Sequence, residues 1–376
     1  MKRIVILFIL ICCKPAFAQD ISYAKKTLNK LTSPDLWGRG YTNNGMGKAA
    51  DFIEKEFIKM GMNPIQQTFS FPVNTFPGSM ELKVNGKRLA PGSDFIVDQA
   101  SKGIKQAGRL IKLDSGQFVS ESQQLRLVIQ SKLTWSVASK VDDITTVLVK
   151  KESIAVEPNS FEAKIDNEFI NEFNATNVYA TIKGTKYPDS IIAITAHYDH
   201  LGGMGKNTYF PGANDNASGV ALLLSLAKFY VKNPPQYTIA FICFGAEEAG
   251  LIGSRYFTEN PLVSLSKIRF LFNLDLVGTG DAGATVVNAT IHPKEFSILK
   301  TINERGNYLI KINARGKAAN SDHYFFTEKG VPSFFLYTQG GISAYHDIND
   351  KAETLPFTVY ENLFKLLMDF NAVLMN

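Results

Sequence analysis

Five short segments gather the side chains of this sequence that could hold a cation. They are Ala196-His197-Tyr198-Asp199-His200-Leu201-Gly202, Gly212-Ala213-Asn214-Asp215-Asn216-Ala217-Ser218-Gly219, Gly245-Ala246-Glu247-Glu248-Ala249-Gly250, Asp275-Leu276-Val277-Gly278 and Tyr345-His346-Asp347. Imidazole nitrogen and carboxylate oxygen are zinc ligands, and a catalytic zinc site keeps one position open for water. Two histidines and three carboxylates, one of them shared, would hold two ions ~3.5–4 Å apart; such a pair lowers the pKa of a bridging water and polarises a carbonyl. The adjacent Glu247 and Glu248 offer one ligand and one unbound carboxylate. The second could take the proton of the water and pass it to a leaving amine.

These groups work only if separate stretches of chain bring them to one place. Apolar strands are predicted at residues 191–195, 237–244, 268–274 and 332–337, with helical patterns at 217–230 and 359–374. Buried strands alternating with helices predict an α/β fold, a mixed and mostly parallel central sheet flanked by helices. In open α/β sheets the site lies beyond the carboxyl ends of the strands. His197, Glu247 and Asp275 follow three of these strands, and His346 follows the fourth across Gly340-Gly341; Asp215 lies in the loop that opens a helix. Ahead of them, residues 20–64 read as helical, because Ala49, Ile53, Phe57 and Met60 recur at spacings of three to four before Gly61 and Pro64. Short stretches at 81–84, 125–129 and 144–149 then suggest strands between turn residues, in a region without histidine or cysteine. The division expected is an N-terminal part of the main domain at 19–75, an inserted, mostly β accessory region at 76–171 and the main domain at 172–376.

With these motifs in this order, the sequence resembles the zinc aminopeptidase family that also contains glutamate carboxypeptidases and glutaminyl cyclases (metallopeptidase family twenty-eight). The resemblance covers residues 172–376 and the stretch from Asp35-Leu36-Trp37-Gly38-Arg39 through Ala50-Asp51-Phe52-Ile53, similar to the family's opening helix. It implies two Zn2+ ions as cofactors. His197 and Asp275 would bind the first ion, Glu248 and His346 the second, and Asp215 would bridge them. Asp199 would orient the His197 imidazole, Glu247 would be the general base and acid, and the Tyr345 phenol would support the oxyanion.

Other polar residues are assigned less. His200 is expected to pack or hydrogen-bond behind the ligands, and His292 is given no role. Ser321-Asp322-His323 invites a hydrolase triad, but a triad converges in space and these residues are consecutive; Ser321 or Asp322 is expected to cap a helix. Asn320 stands where some relatives carry a substrate-holding arginine. Cys243, in the apolar run Tyr237-Thr-Ile-Ala-Phe-Ile-Cys-Phe244, is expected to be a buried thiol.

The N-terminus reads as a secretory signal at 1–18. Lys2 and Arg3 precede ten apolar residues from Ile4 to Cys13, and Ala16-Phe17-Ala18 gives the cleavage pattern. Export to the periplasm or beyond is expected, with Gln19 as the new first residue. Cys12 and Cys13 leave with the signal, so Cys243 has no partner for an internal disulfide. Lys2, Arg3 and Lys14 leave too, and 37 basic residues then face 35 acidic ones. That balance gives no electrostatic case for nucleic acid or an anionic membrane, and no later segment reads as a membrane span. The 376-residue chain is 45% hydrophobic, enough for a full core, which excludes a disordered or collagen-like design. The function expected is an exported two-zinc exopeptidase acting on peptides with a free N-terminus. The alternatives are a carboxypeptidase or dipeptidase on the same site, a single-zinc glutaminyl cyclase, or a non-catalytic binding ectodomain. The peptidase form of Asp215-Asn216-Ala217-Ser218-Gly219 and the complete ligand set favour the first.

Overall fold

The computed structural model describes residues 21–376; the expected signal segment, with Cys12 and Cys13, lies outside the described residues. An eight-stranded sheet runs in the order Ile65–Thr75, Glu168–Ile182, Tyr237–Phe244, Tyr187–His197, Ile268–Leu274, Ser333–Thr338, Ala284–Val287, Ile312–Ala314. The four strands from Tyr237–Phe244 to Ser333–Thr338 are mutually parallel, while Glu168–Ile182 and Ala284–Val287 join them antiparallel. The sheet is therefore mixed, as expected; the strand–helix alternation accounts for its parallel centre, and the antiparallel strands flank that centre.

Both faces of the parallel strands are buried, which is why their sequences are near-continuous apolar runs. Ile192, Ile194, Ile239 and Phe241 face one core with Cys243, while Ile191, Ala193, Ala240 and Ile242 face the other. The first core is covered by Ser218–Lys232, which packs against Ile21–Leu31 and Tyr360–Leu374. Its first ten residues, Ser218 to Ala227, are all buried. Gly45–Lys59 adds an apolar stripe of Met46, Ala49, Ala50, Ile53 and Phe57, the face expected from its periodicity. On the second core, Ile252–Glu259 packs against His323–Glu328, bringing Phe257 and Phe326 onto the sheet. Among the described residues no helix is long and apolar enough to cross a membrane.

The accessory region forms a second eight-stranded sheet, from Met80–Val84 to Ser160–Ile165 in chain order. The expected division at 171 falls inside Glu168–Ile182, a strand of the main sheet zipped along Ile65–Thr75. The two ends of the insertion thus leave and re-enter on paired strands. Its core contains Leu82, Phe95, Leu127, Val147 and Trp135, together with Leu201, Met204 and Phe210 from the loop after His197. The insertion and that loop share one hydrophobic cluster.

Candidate metal centre

Strand register builds the first half of the site. His197 ends its strand opposite Phe244, and Thr195 pairs with Asn273. Two residues further along this parallel pair, Asp275 comes beside His197. His197 Nε2 lies 3.3 Å from Asp275 Oδ1 and 3.3 Å from Asp215 Oδ1. In the second half, His346 Nε2 lies 3.2 Å from Asp215 Oδ2 and 3.2 Å from Glu248 Oε2. Each oxygen of Asp215 faces a different imidazole.

These separations bear on what the gap could hold. A charge-assisted N–H···O bond is ~2.7–2.9 Å long, whereas two atoms each ~2.0–2.1 Å from one tetrahedral ion stand roughly 3.3 Å apart. All four distances match the second value. His200, Asp215 and Glu248 also come within 4.8 Å of one another. However, His200 Nδ1 lies 2.7 Å from Glu248 Oε1, a hydrogen-bond length, so His200 braces the carboxylate from behind, as its sequence position suggested.

Charge points the same way. Asp199, Asp215, Asp275, Asp322 and Asp350 are all buried, and Arg39 is the only buried arginine or lysine among the described residues. Burial opposes charge on the histidines, but the facing carboxylates outweigh it. Glu247, Asp275 and Asp215 hold His197 well above the ordinary imidazole range, and Glu248 and Asp215 lift His346 to about 11. Conversely, the imidazoles overcome burial to keep Asp215 well below the usual carboxylate range and Glu248 down to about 2. Glu247 goes the other way: burial, then the carboxylates of Glu248, Asp322 and Asp275, raise it well above the ordinary value despite His197. So many buried acids with so little fixed positive charge suit a divalent cation. Asp275 Oδ1, the oxygen facing His197, has no hydrogen-bond partner.

Each of the five converging side chains is braced by residues outside the set. Thr195 Oγ1 donates to Asn273 Oδ1 at 2.7 Å, Asn273 Nδ2 to Ser321 Oγ at 2.8 Å, and Ser321 Oγ to Asp275 Oδ2 at 2.9 Å. Ser321 therefore fixes the Asp275 carboxylate, and Asp322, which precedes His323–Glu328, makes no side-chain capping bond. The helix cap expected there is replaced by a polar link into the site. Asp199 also takes other partners than expected. His197 Nδ1 lies 3.2 Å from the Asp199 main-chain oxygen and 3.8 Å from its carboxylate. The carboxylate instead accepts the backbone N–H groups of Glu247 at 3.0 Å and Glu248 at 3.3 Å and the Tyr41 hydroxyl at 3.2 Å. It pins the turn that carries both glutamates. Tyr345 is 44% exposed at the rim, its ring stacked on His346 at 4.0 Å.

Three supports escaped the sequence reading. Asp350 accepts N–H bonds from Asn214 at 2.8 Å and Asp215 at 3.0 Å. Arg39, fully buried, donates from Nε to Tyr198 O at 2.8 Å, from Nη1 to Leu31 O at 3.0 Å and Pro211 O at 2.7 Å, and from Nη2 to Gly212 O at 2.7 Å and Asp215 O at 3.2 Å. Burial lowers its pKa to about 10, against the pull of Asp350, Asp215, Asp199 and Glu248, so it stays a cation at neutral pH. Its glycine neighbours were the available signal: a Cβ on Gly38 would stand 2.4 Å from Phe210 O, and one on Gly40 would stand 2.2 Å from Gly202 Cα. The third is the main chain of Trp135, whose carbonyl oxygen lies 2.9 Å from His346 Nδ1.

A mixed sheet with histidine and carboxylate side chains gathered at its strand ends has matches among known proteins. The model of Peptidase family M28 matches residues 177–370. The chain belongs to this family. Aminopeptidase YwaD of Bacillus subtilis is 29% identical over 205 residues, which cover 50% of this chain and 41% of that protein. A probable zinc metalloprotease of Pyricularia oryzae is 38% identical over 112 residues, covering 29% of this chain and 22% of that one. This chain thus spans less than half the length of the curated relatives it matches. The crystal structure of a Peptidase M28 precursor from Shewanella amazonensis shares the fold, with a TM-score of 0.75 at 16% identity over 95% of this chain and 94% of that one.

Proposed function

We propose that this chain is a two-zinc exopeptidase that removes residues from the free N-terminus of peptides. The observation that supports it most is the pair of imidazole–carboxylate clusters joined through Asp215, with edges of 3.2–3.3 Å. His197, Asp215 and Asp275 would hold one ion, and His346, Asp215 and Glu248 the other. Bound there, the ions would supply polarisation of the scissile carbonyl and a lower pKa for the attacking water. The names of the relatives, an aminopeptidase and a probable zinc metalloprotease, agree with this reading.

The chain's own residues do the proton work. Glu247 takes a proton from the water as its oxygen attacks the carbonyl carbon. It returns that proton to the amine nitrogen as the C–N bond breaks. The raised pKa of its carboxyl suits the second half of this task. Tyr345, at the rim, offers its phenol to the oxyanion. The surrounding carboxylates favour a protonated α-amine, so N-blocked peptides should react poorly.

The test is mass spectrometry of a library of free, N-acetylated and N-terminal-Gln peptides incubated with zinc-loaded protein. Stepwise loss of N-terminal residues from free peptides alone is expected. Loss from the C-terminus, cleavage of dipeptides alone or ammonia loss from Gln peptides would reassign the activity. Glu247→Gln should cut turnover by ~10²–10⁴ with zinc still bound, and unchanged turnover would remove Glu247 from the mechanism. Export through residues 1–18 belongs to the same proposal; N-terminal sequencing of the protein from the native host should begin at Gln19, and an intact Met1 would refute it.

A further inference from the structure

The segment between the accessory strands Leu125–Gln130 and Thr145–Lys150 reaches across to His346. The Trp135 N–H donates to the His346 carbonyl at 2.9 Å, and His346 Nδ1 lies 2.9 Å from the Trp135 carbonyl oxygen. A carbonyl oxygen can only accept, so Nδ1 holds its hydrogen there, and the lone pair available to an ion is the one on Nε2. Nε2 is the atom that faces Asp215 and Glu248.

Beyond this pair of hydrogen bonds, the His346 ring meets the edge of the His200 ring, with centroids 5.8 Å apart. The His346 backbone sits at φ +54°, a left-handed conformation that a residue with a Cβ does not favour by itself. Tyr345 stacks on the ring but is itself largely exposed. Trp135, by contrast, is buried. Its indole Nε1 donates to Val97 O at 2.7 Å, within an accessory strand, and its ring stacks on Phe210 at 4.7 Å. Phe210 immediately precedes the loop that carries Asp215. The accessory core grips residue 135, and residue 135 grips the imidazole.

We propose that Trp135 is a positioning residue for the second metal. The accessory region sets the direction and the hydrogen placement of His346, so the affinity of the second ion is a property of the inserted fold. The inference rests on the two-zinc reading above. Coupling is reciprocal, so binding of the second ion must also steady the segment around Trp135.

The experiment titrates the metal-free full-length chain with zinc against a chromophoric chelator, for wild type, Trp135→Ala and Trp135→Phe. Wild type should bind two ions. Trp135→Ala should lose ~10–100-fold in the second affinity and keep the first, and Trp135→Phe, which retains the stack on Phe210, should restore most of the loss. Equal weakening of both sites, or no weakening, overturns the positioning role. A wild-type chain that binds one ion overturns the two-zinc reading and this inference with it. Hydrogen exchange on the wild type needs no variant: the second equivalent of zinc should slow exchange around Trp135. Protection that stays confined to the segment around His346 overturns the proposal even if Trp135→Ala does not fold.

Discussion

Arg39 gives the most quantitative test of how this site is held. Its guanidinium spends five N–H···O contacts of 2.7–3.2 Å on main-chain carbonyls, four of them on the loops of His197 and Asp215. Arg39→Met keeps the side-chain length and removes the charge and every donor. Each carbonyl left dry would cost ~1–3 kcal/mol, while release of the buried cation returns several kcal/mol of desolvation, leaving a net loss of about 3–5 kcal/mol as for other broken buried charge networks. Part of that loss is electrostatic, because Asp350, Asp215, Asp199 and Glu248 all face the cation. Two bound zinc ions would relieve that part and leave the hydrogen-bond part. The assay is urea unfolding with and without zinc, at an unchanged m-value. Arg39→Met should show the larger loss in the metal-free protein, and Arg39→Lys, a point charge without the planar fork, should fall between it and wild type. A loss below about 1 kcal/mol for Arg39→Met, or wild-type stability for Arg39→Lys, would refute the argument.

Other outcomes follow from the same geometry. Ser321→Ala removes the donor to Asp275 and the acceptor of Asn273, and should weaken zinc at the first site by ~10–100-fold in a chelator competition; an unchanged constant would show that Asp275 does not need the link. Zinc displaces protons from imidazoles that carry them when metal-free, so calorimetry at pH 7 in buffers of different ionisation enthalpy should report release of about two protons for two ions. Release near zero would mean that His197 and His346 are neutral beforehand. The stability slopes should also oppose each other. In the metal-free protein His346 titrates in the folded state at about 11 against an ordinary 6.5, so its stabilising contribution is complete below about 6.5 and fades as pH rises towards 11. The zinc-loaded protein should instead lose stability as pH falls and protons compete for the imidazoles; urea midpoints that move together with and without zinc would contradict this.

The order of candidate groups along the chain was legible because strands and the polar residues at their ends share local signals. The apolar runs at 191–195, 237–244 and 268–274 lie inside the observed strands Tyr187–His197, Tyr237–Phe244 and Ile268–Leu274, and the motif residues stand at their ends. Two buried faces need uninterrupted apolar sequence, and polar residues can resume only where the strand leaves the core. Residue type and position therefore mark the segments that carry His197, Asp215, Glu248, Asp275 and His346, the family resemblance singles out these five within them, and the structure brings all five together. Asp199 and Ser321 could be picked as polar residues near these segments, but their partners could not. A hydroxyl at a helix start reads as a cap whether or not a carboxylate lies within 2.9 Å of it.

The long-range main-chain contacts could be read from the folded chain alone. Arg39 acts on carbonyls up to 176 residues away, and Trp135 meets His346 across 211 residues. Every residue carries a carbonyl and all but proline carry an N–H, so a contact made through the backbone leaves no side-chain type in the sequence to mark it. The inserted region shows this most clearly: it holds no histidine or cysteine, and its composition marks it as an appendage. Folding places one of its carbonyl oxygens against the His346 imidazole and joins its core to the loop after His197. Residue order was enough to name the groups that could do the chemistry and the strand ends at which they stand. The packing of two sheets decided which way those groups point, because direction depends on neighbours that lie far apart along the chain.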